Sequence, residues 1–114
     1  MLQDCIFCMI GSGQLESEIL HRDDSCFVIR DIAPKAPVHL LIIPHQHFTY
    51  LTDLTPEFYP VLGGMFAVAR DMAVREEVSG KGYRLTINQG DHSGQMIPHL
   101  HLHLLGGRPL ADIA

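Results

Sequence analysis

The sequence predicts an α+β fold: a mostly antiparallel five-stranded sheet with one long helix and a short N-terminal helix. Three observations carry the prediction. Five short runs of β-branched and aliphatic residues are bounded by turn residues, one segment has apolar residues at helical spacing, and histidine alternates strictly with leucine near the C-terminus. A length of 114 residues suits one domain, residues 1–114, and no repeat, low-complexity tract or linker divides it.

Residues 5–11 (CIFCMIG) predict a short helix or turn ended by glycine. Runs 17–21 and 26–30 carry Ile19, Phe27, Val28 and Ile29. Between them Asp23, Asp24 and Ser25 are turn residues, so the two runs predict a hairpin. Pro34 and Pro37 restrict themselves and the residues before them, which makes 33–37 a loop. Residues 38–43 (VHLLII) read as a buried strand stopped by Pro44. The long helix is predicted from Thr55. Thr55 can cap, Pro56 suits the first helical position, and Glu57 suits the positive end of the dipole. Phe58, Leu62, Met65, Ala69 and Met72 then build one apolar face, and Gly80 and Gly82 are expected to end the helix. Gly63, Gly64 and Ala67 are small enough either for close packing inside the chain or for approach by a second copy. In run 83–88, Tyr83, Leu85 and Ile87 alternate with Arg84, Thr86 and Asn88. A glycine-rich loop (89–95, QGDHSGQ) follows, and then the last strand, 99–105 (HLHLHLL).

Composition narrows the function. The net charge of −5 argues against a non-specific nucleic-acid binder, which relies on many Lys and Arg. No apolar run is long enough to span a bilayer, and no cationic stretch leads into an apolar one at the start, so the expectation is a cytoplasmic chain without a membrane partner. Eight histidines in so short a chain point to chemistry rather than solvation. Three cysteines, an odd number, argue against a disulfide framework.

On a strand, His99, His101 and His103 share one face and Leu100, Leu102 and Leu104 the other, with neighbours on a face about 6.5–7 Å apart. The leucine face is expected to pack on the core against the helix. Two chemistries suit the histidine face. It could hold a metal, since His-x-His presents two nitrogens to one ion. Alternatively, one imidazole is a nucleophile that its neighbours orient. The preceding loop favours the second: Asn88, Gly90, Ser93, Gly94 and Gln95 offer small residues and donors, which suit a phosphate better than a metal. Cys5 and Cys8 have the spacing of half a zinc site, or are two small apolar residues of the core; a redox pair lacks its usual βαβ setting.

Residues 88–108 (NQGDHSGQMIPHLHLHLLGGR) closely resemble the motif region of the histidine-triad nucleotide-binding proteins. Gly106, Gly107 and Arg108 are similar to the Hint branch of that family, as is segment 30–39 (RDIAPKAPVH). The resemblance implies the HIT-like fold and a hydrolase that cleaves the P–N bond of purine nucleoside 5′-phosphoramidates. The products would be the nucleoside monophosphate and an amine, formed through a covalent nucleotidyl-histidine. It implies His101 as nucleophile, His103 on the α-phosphate, and His99 and His39 as further histidines of the catalytic group. It implies Asp31 on the ribose hydroxyls, Ile32 on the base, and Asn88, Gly94 and Gln95 on the phosphate side. No cofactor is implied for the chemistry. A structural zinc is implied for members with this cysteine spacing, here on Cys5, Cys8, His47 and His99. A homodimer through the long helix and a strand edge is implied as well. Two departures stand out: Arg30 where the branch usually has histidine, and Met96 where serine or threonine often stands. Related alternatives are a dinucleoside polyphosphate hydrolase and a nucleotide-binding scaffold with vestigial activity.

Overall fold

The computed structural model describes residues 5–113. Along the chain run α1 (Ile6–Ser12), β1 (His21–Arg22), β2 (Cys26–Arg30), β3 (Val38–Pro44), α2 (Tyr59–Arg75), β4 (Tyr83–Thr86) and β5 (Leu102–Gly106). Single 3-10 turns occur at Leu51–Asp53, Pro56–Phe58 and Asp91–Ser93. The strands form one sheet in the order β1-β2-β3-β5-β4, and each neighbouring pair is antiparallel. The α+β class with one long and one short helix is the one observed.

The sheet buries both faces, and the period-2 pattern decides which residue goes where. Leu40 and Ile42 of β3 and Leu100, Leu102 and Leu104 around β5 join Met65, Val68, Ala69 and Met72 of α2 in one core. This is the leucine face meeting the long helix, as expected. Leu41 and Ile43, one residue out of phase, join Phe27 and Ile29 of β2 and Phe7, Cys8 and Ile10 of α1 in a second core. Central strand β3 is therefore covered on both sides, which is why 38–43 reads as a continuous apolar run. Helix α1 is held at both ends. The Cys5 sulfur accepts from the Cys8 amide at its start, and Gly13 closes it in the left-handed conformation, φ 86°.

Several boundaries differ from the expectation, and run 83–88 is strand only over Tyr83–Thr86. Strand β1 is only His21–Arg22, so it keeps one residue of the predicted run 17–21. Thr55 precedes a 3-10 turn, and regular helix begins at Tyr59 with Pro60 in its first turn. The helix ends at Arg75, before Gly80 and Gly82. Glu77 takes φ 61°, and the amides of Val78 and Glu77 bond back to Ala73 and Val74. That is a Schellman turn built without glycine, and it turns Val78 into the core beneath Gly106. The last strand starts at Leu102, not at residue 99. Partner strand β3 ends at Pro44, which has no N–H to continue the ladder, and the Leu100 amide bonds instead to the Phe48 carbonyl.

Candidate functional site

His101 and His103 lie on the face opposite α2, with ring centroids 4.8 Å apart. Register brings in a third imidazole. His39 pairs with Leu105, so it sits diagonally from His103 on the same face, within reach of a ring. The His39 and His103 rings meet through Nε2 and Nδ1 at 2.9 Å. Asp31 follows the end of β2. Its amide bonds the His39 carbonyl at 2.9 Å, its Oδ1 accepts from the Ala33 amide at 2.8 Å, and its Oδ2 lies 3.5 Å from His39 Nε2. Asp31, His39, His101 and His103 are thus gathered at one place.

Hydrogen-bond partners settle the tautomers. The Lys35 amide can only donate, and it donates to His39 Nδ1 at 3.1 Å, so neutral His39 carries its proton on Nε2. That proton goes to His103 Nδ1, which leaves the His103 proton on Nε2. This Nε2 is the one buried side-chain polar atom without a partner among the described residues. The His99 carbonyl can only accept, and it lies 2.7 Å from His101 Nδ1. His101 therefore has its proton on Nδ1 and a lone pair on Nε2. Burial keeps these rings neutral near pH 7. It lowers the pKa of His39 and His101 and pushes His103 down to about 4, outweighing the opposite pull of the Asp31 carboxylate.

The first histidine of the run goes elsewhere. The fully buried His99 ring points Nδ1 at the Cys5 sulfur, 3.3 Å away, and at the Cys8 sulfur, 3.7 Å away, while His47 Nδ1 lies 3.3 Å from the Cys8 sulfur. The ligand atoms of Cys5, Cys8, His47 and His99 all lie within 4.8 Å of one another. Tetrahedral zinc with its usual bond lengths would separate sulfur and nitrogen ligands by about 3.6 Å. The donor set and spacing fit that ion. His99 Nε2 donates to the Pro44 carbonyl at 2.9 Å, the outer bond that orients a ligating imidazole. Phe7, between the two cysteines, packs edge-on against both His99 and His101, with centroids 5.7 and 5.1 Å away.

The glycine-rich loop supplies curvature. Gly90 and Gly94 take φ 83° and 85°, a region that favours glycine. Gln95 is committed to the loop itself: its Oε1 accepts from the Gly90 amide at 2.8 Å, and its Nε2 donates to the Thr49 carbonyl at 3.2 Å. Asn88 is half-buried just beyond β4, and Ile32 is 99% exposed beside Asp31. Cys26 is buried in β2 as expected of a core residue, and burial pushes its thiol up to about 12, which makes it inert. Sequence reasoning missed the Lys35 amide and the His99 carbonyl. Both are backbone groups, and no residue type announces them.

Comparison with known proteins identifies the family. The family described as "Scavenger mRNA decapping enzyme C-term binding" matches residues 4–109. The chain belongs to that family and, with its neighbours, to the histidine-triad (HIT) proteins. Among its relatives, the purine nucleoside phosphoramidase of Escherichia coli (strain K12) is 42% identical over 113 residues, covering 99% of this chain and 95% of that protein. A histidine triad protein from Clostridium difficile superposes with a TM-score of 0.94 at 31% identity, covering 100% of this chain and 99% of that one. A HIT family hydrolase from Legionella pneumophila Philadelphia 1 gives 0.91 at 38% identity, covering 95% and 96%.

Proposed function

We propose that this chain is a hydrolase of purine nucleoside 5′-phosphoramidates and that His101 is its nucleophile. The observation that carries the reading is the pairing of two tautomers. His101 presents a lone pair on Nε2, while adjacent His103 holds a buried, unpartnered N–H. Nε2 of His101 attacks the α-phosphorus. A P–Nε2 bond forms as the P–N bond to the amine breaks, and the amine leaves after taking up a proton. Water then cleaves the nucleotidyl-histidine and releases the monophosphate. Splitting one displacement into two lowers each barrier, and the His103 N–H is suited to the oxygen charge that develops at phosphorus. Asp31 would hold the ribose, Ile32 the base, and Asn88 and Gly94 the phosphate side, with Gln95 bracing the loop that presents them. Relatedness to a purine nucleoside phosphoramidase supports the choice of a P–N bond over a polyphosphate.

The test is mass spectrometry of protein quenched with adenosine 5′-phosphoramidate. A nucleotidyl adduct on His101 is expected, with turnover reduced by roughly three orders of magnitude in His101→Ala. Near-normal turnover in that variant ends the assignment.

Two further features belong to this reading. Cys5, Cys8, His47 and His99 would hold a structural zinc that fastens the start of the histidine run to α1, with no part in bond cleavage. A homodimer would use the outer face of α2 and edge strand β4. Tyr59 and Phe66 are exposed there at helical spacing, and among the described residues a Cβ at Gly63 or Gly64 would meet nothing outside its own helix, which leaves room for a second copy to approach. Sedimentation is expected to show a dimer that Phe66→Glu splits; a monomeric native chain removes this part. None of the described helices is long and apolar enough to cross a membrane, and a cytoplasmic location accords with that.

A further inference from the structure

The structure assigns Arg108 as a positioning residue for the His39–His103 pair, an inference that rests on the proposed reaction. Arg108 follows Gly106, the last residue of β5, and Gly107, and its hydrogen bonds go to backbone carbonyls rather than to a histidine. Its Nη2 donates to the Lys35 carbonyl at 2.6 Å, and its Nη1 donates to the Pro109 carbonyl at 2.9 Å. A charged donor at 2.6 Å makes a short, strong hydrogen bond. Lys35 is the residue whose amide holds His39 Nδ1, so its C=O is gripped by Arg108 while its N–H, across the same Cα, sets the His39 tautomer. His39 Nε2–H then sets His103, whose own Nε2–H is the unpartnered buried donor. One guanidinium at the surface thus stands three contacts from the group that would meet the phosphate.

The adjoining glycines explain how Arg108 reaches the loop. Gly107 takes φ 97°, and a Cβ there would lie 2.9 Å from the Pro37 side chain, so the backbone after β5 lies directly against loop 33–37. A Cβ at Gly106 would lie 3.1 Å from Val78. The loop is pinned at one end by Ala33 on Asp31 and at the other by Gly107 against Pro37, and Arg108 holds Lys35 between them. Without Arg108 the Lys35 peptides gain freedom, the Lys35 amide leaves His39 part of the time, and both rings sample the other tautomer. In that tautomer His103 Nε2 carries a lone pair, which repels a phosphoryl oxygen. The effect falls on the chemical step, because neither Arg108 nor Lys35 is assigned a nucleotide contact.

The experiment combines kinetics with long-range 1H–15N correlation of the imidazoles in the full-length protein. Arg108→Gln and Arg108→Ala are expected to lower kcat on adenosine phosphoramidate by about tenfold, a fraction of the 10²–10⁴ that a positioned proton donor supplies. KM should stay within twofold, and the resonances of His39 and His103 should move from single tautomers to averaged ones. Arg108→Lys should recover part of both effects and provides the measurement should the alanine variant fail to fold. Arg75→Ala, which breaks a 2.6 Å arginine–carbonyl bond to Leu20, is the control and should change neither readout. Native tautomers in Arg108→Gln, with or without a fall in kcat, overturn the assignment. An inactive native protein with a normal tautomer response would instead refute the proposed reaction and leave Arg108 in its positioning role.

Discussion

His99 and His103 are two residues either side of His101 and belong to the same alternating run, yet they end in different chemistry. His99 lies before the β5 ladder begins; its ring is fully buried between two thiols, and its other nitrogen bonds a carbonyl. His103 lies inside the ladder, and its ring meets another imidazole and keeps one N–H unspent. A shared face does not give a shared role. The element covering each stretch decides it: α1 brings Cys5 and Cys8 to one end, and β3 brings His39 to the other. His101, between them, takes its orientation from the His99 backbone and its neighbour from the His103 side.

Crossed substitutions sharpen this contrast. The largest expected effect is on turnover: His103→Ala should lower kcat by about 10²–10⁴ with zinc content unchanged. Cys8→Ala should do the reverse, abolishing zinc by elemental analysis and lowering the melting temperature by about 10 °C, equivalent to roughly 2 kcal/mol in a domain of this size. Its kcat should change less than that of His103→Ala. If both variants lose zinc and activity alike, the two ends form one unit and the contrast fails.

A smaller effect concerns acid. Burial holds folded His103 near 4, whereas an unfolded histidine takes up its proton near 6.5. Between those values the unfolded chain binds the extra proton. The contribution to stability is whole above about 6.5 and is lost as pH falls toward 4, at up to ~1.4 kcal/mol per pH unit. Melting curves from pH 7.5 to 5 should fall less steeply for His103→Asn than for the native protein. Parallel curves would show that this ring is not held neutral by burial.

Much of this protein is legible in its sequence because local rules and tertiary packing agree. Alternation in 99–105 places leucines on one face and histidines on the other, and that division holds although the ladder begins only at Leu102. Helix α2 emerges from its three-and-four spacing. Its end does not, because Glu77 adopts a left-handed turn that only the burial of Val78 accounts for.

By itself the sequence determined which residues could react and which faces they share, because side-chain periodicity is a local property of the backbone. Only the tertiary structure decided partners. Strand register set His39 diagonal to His103, the Pro44 stop freed His99 to turn toward the cysteines, and two backbone groups, the Lys35 amide and the His99 carbonyl, chose the tautomers. Every residue carries those same two groups, so where they point depends on how distant strands and loops meet.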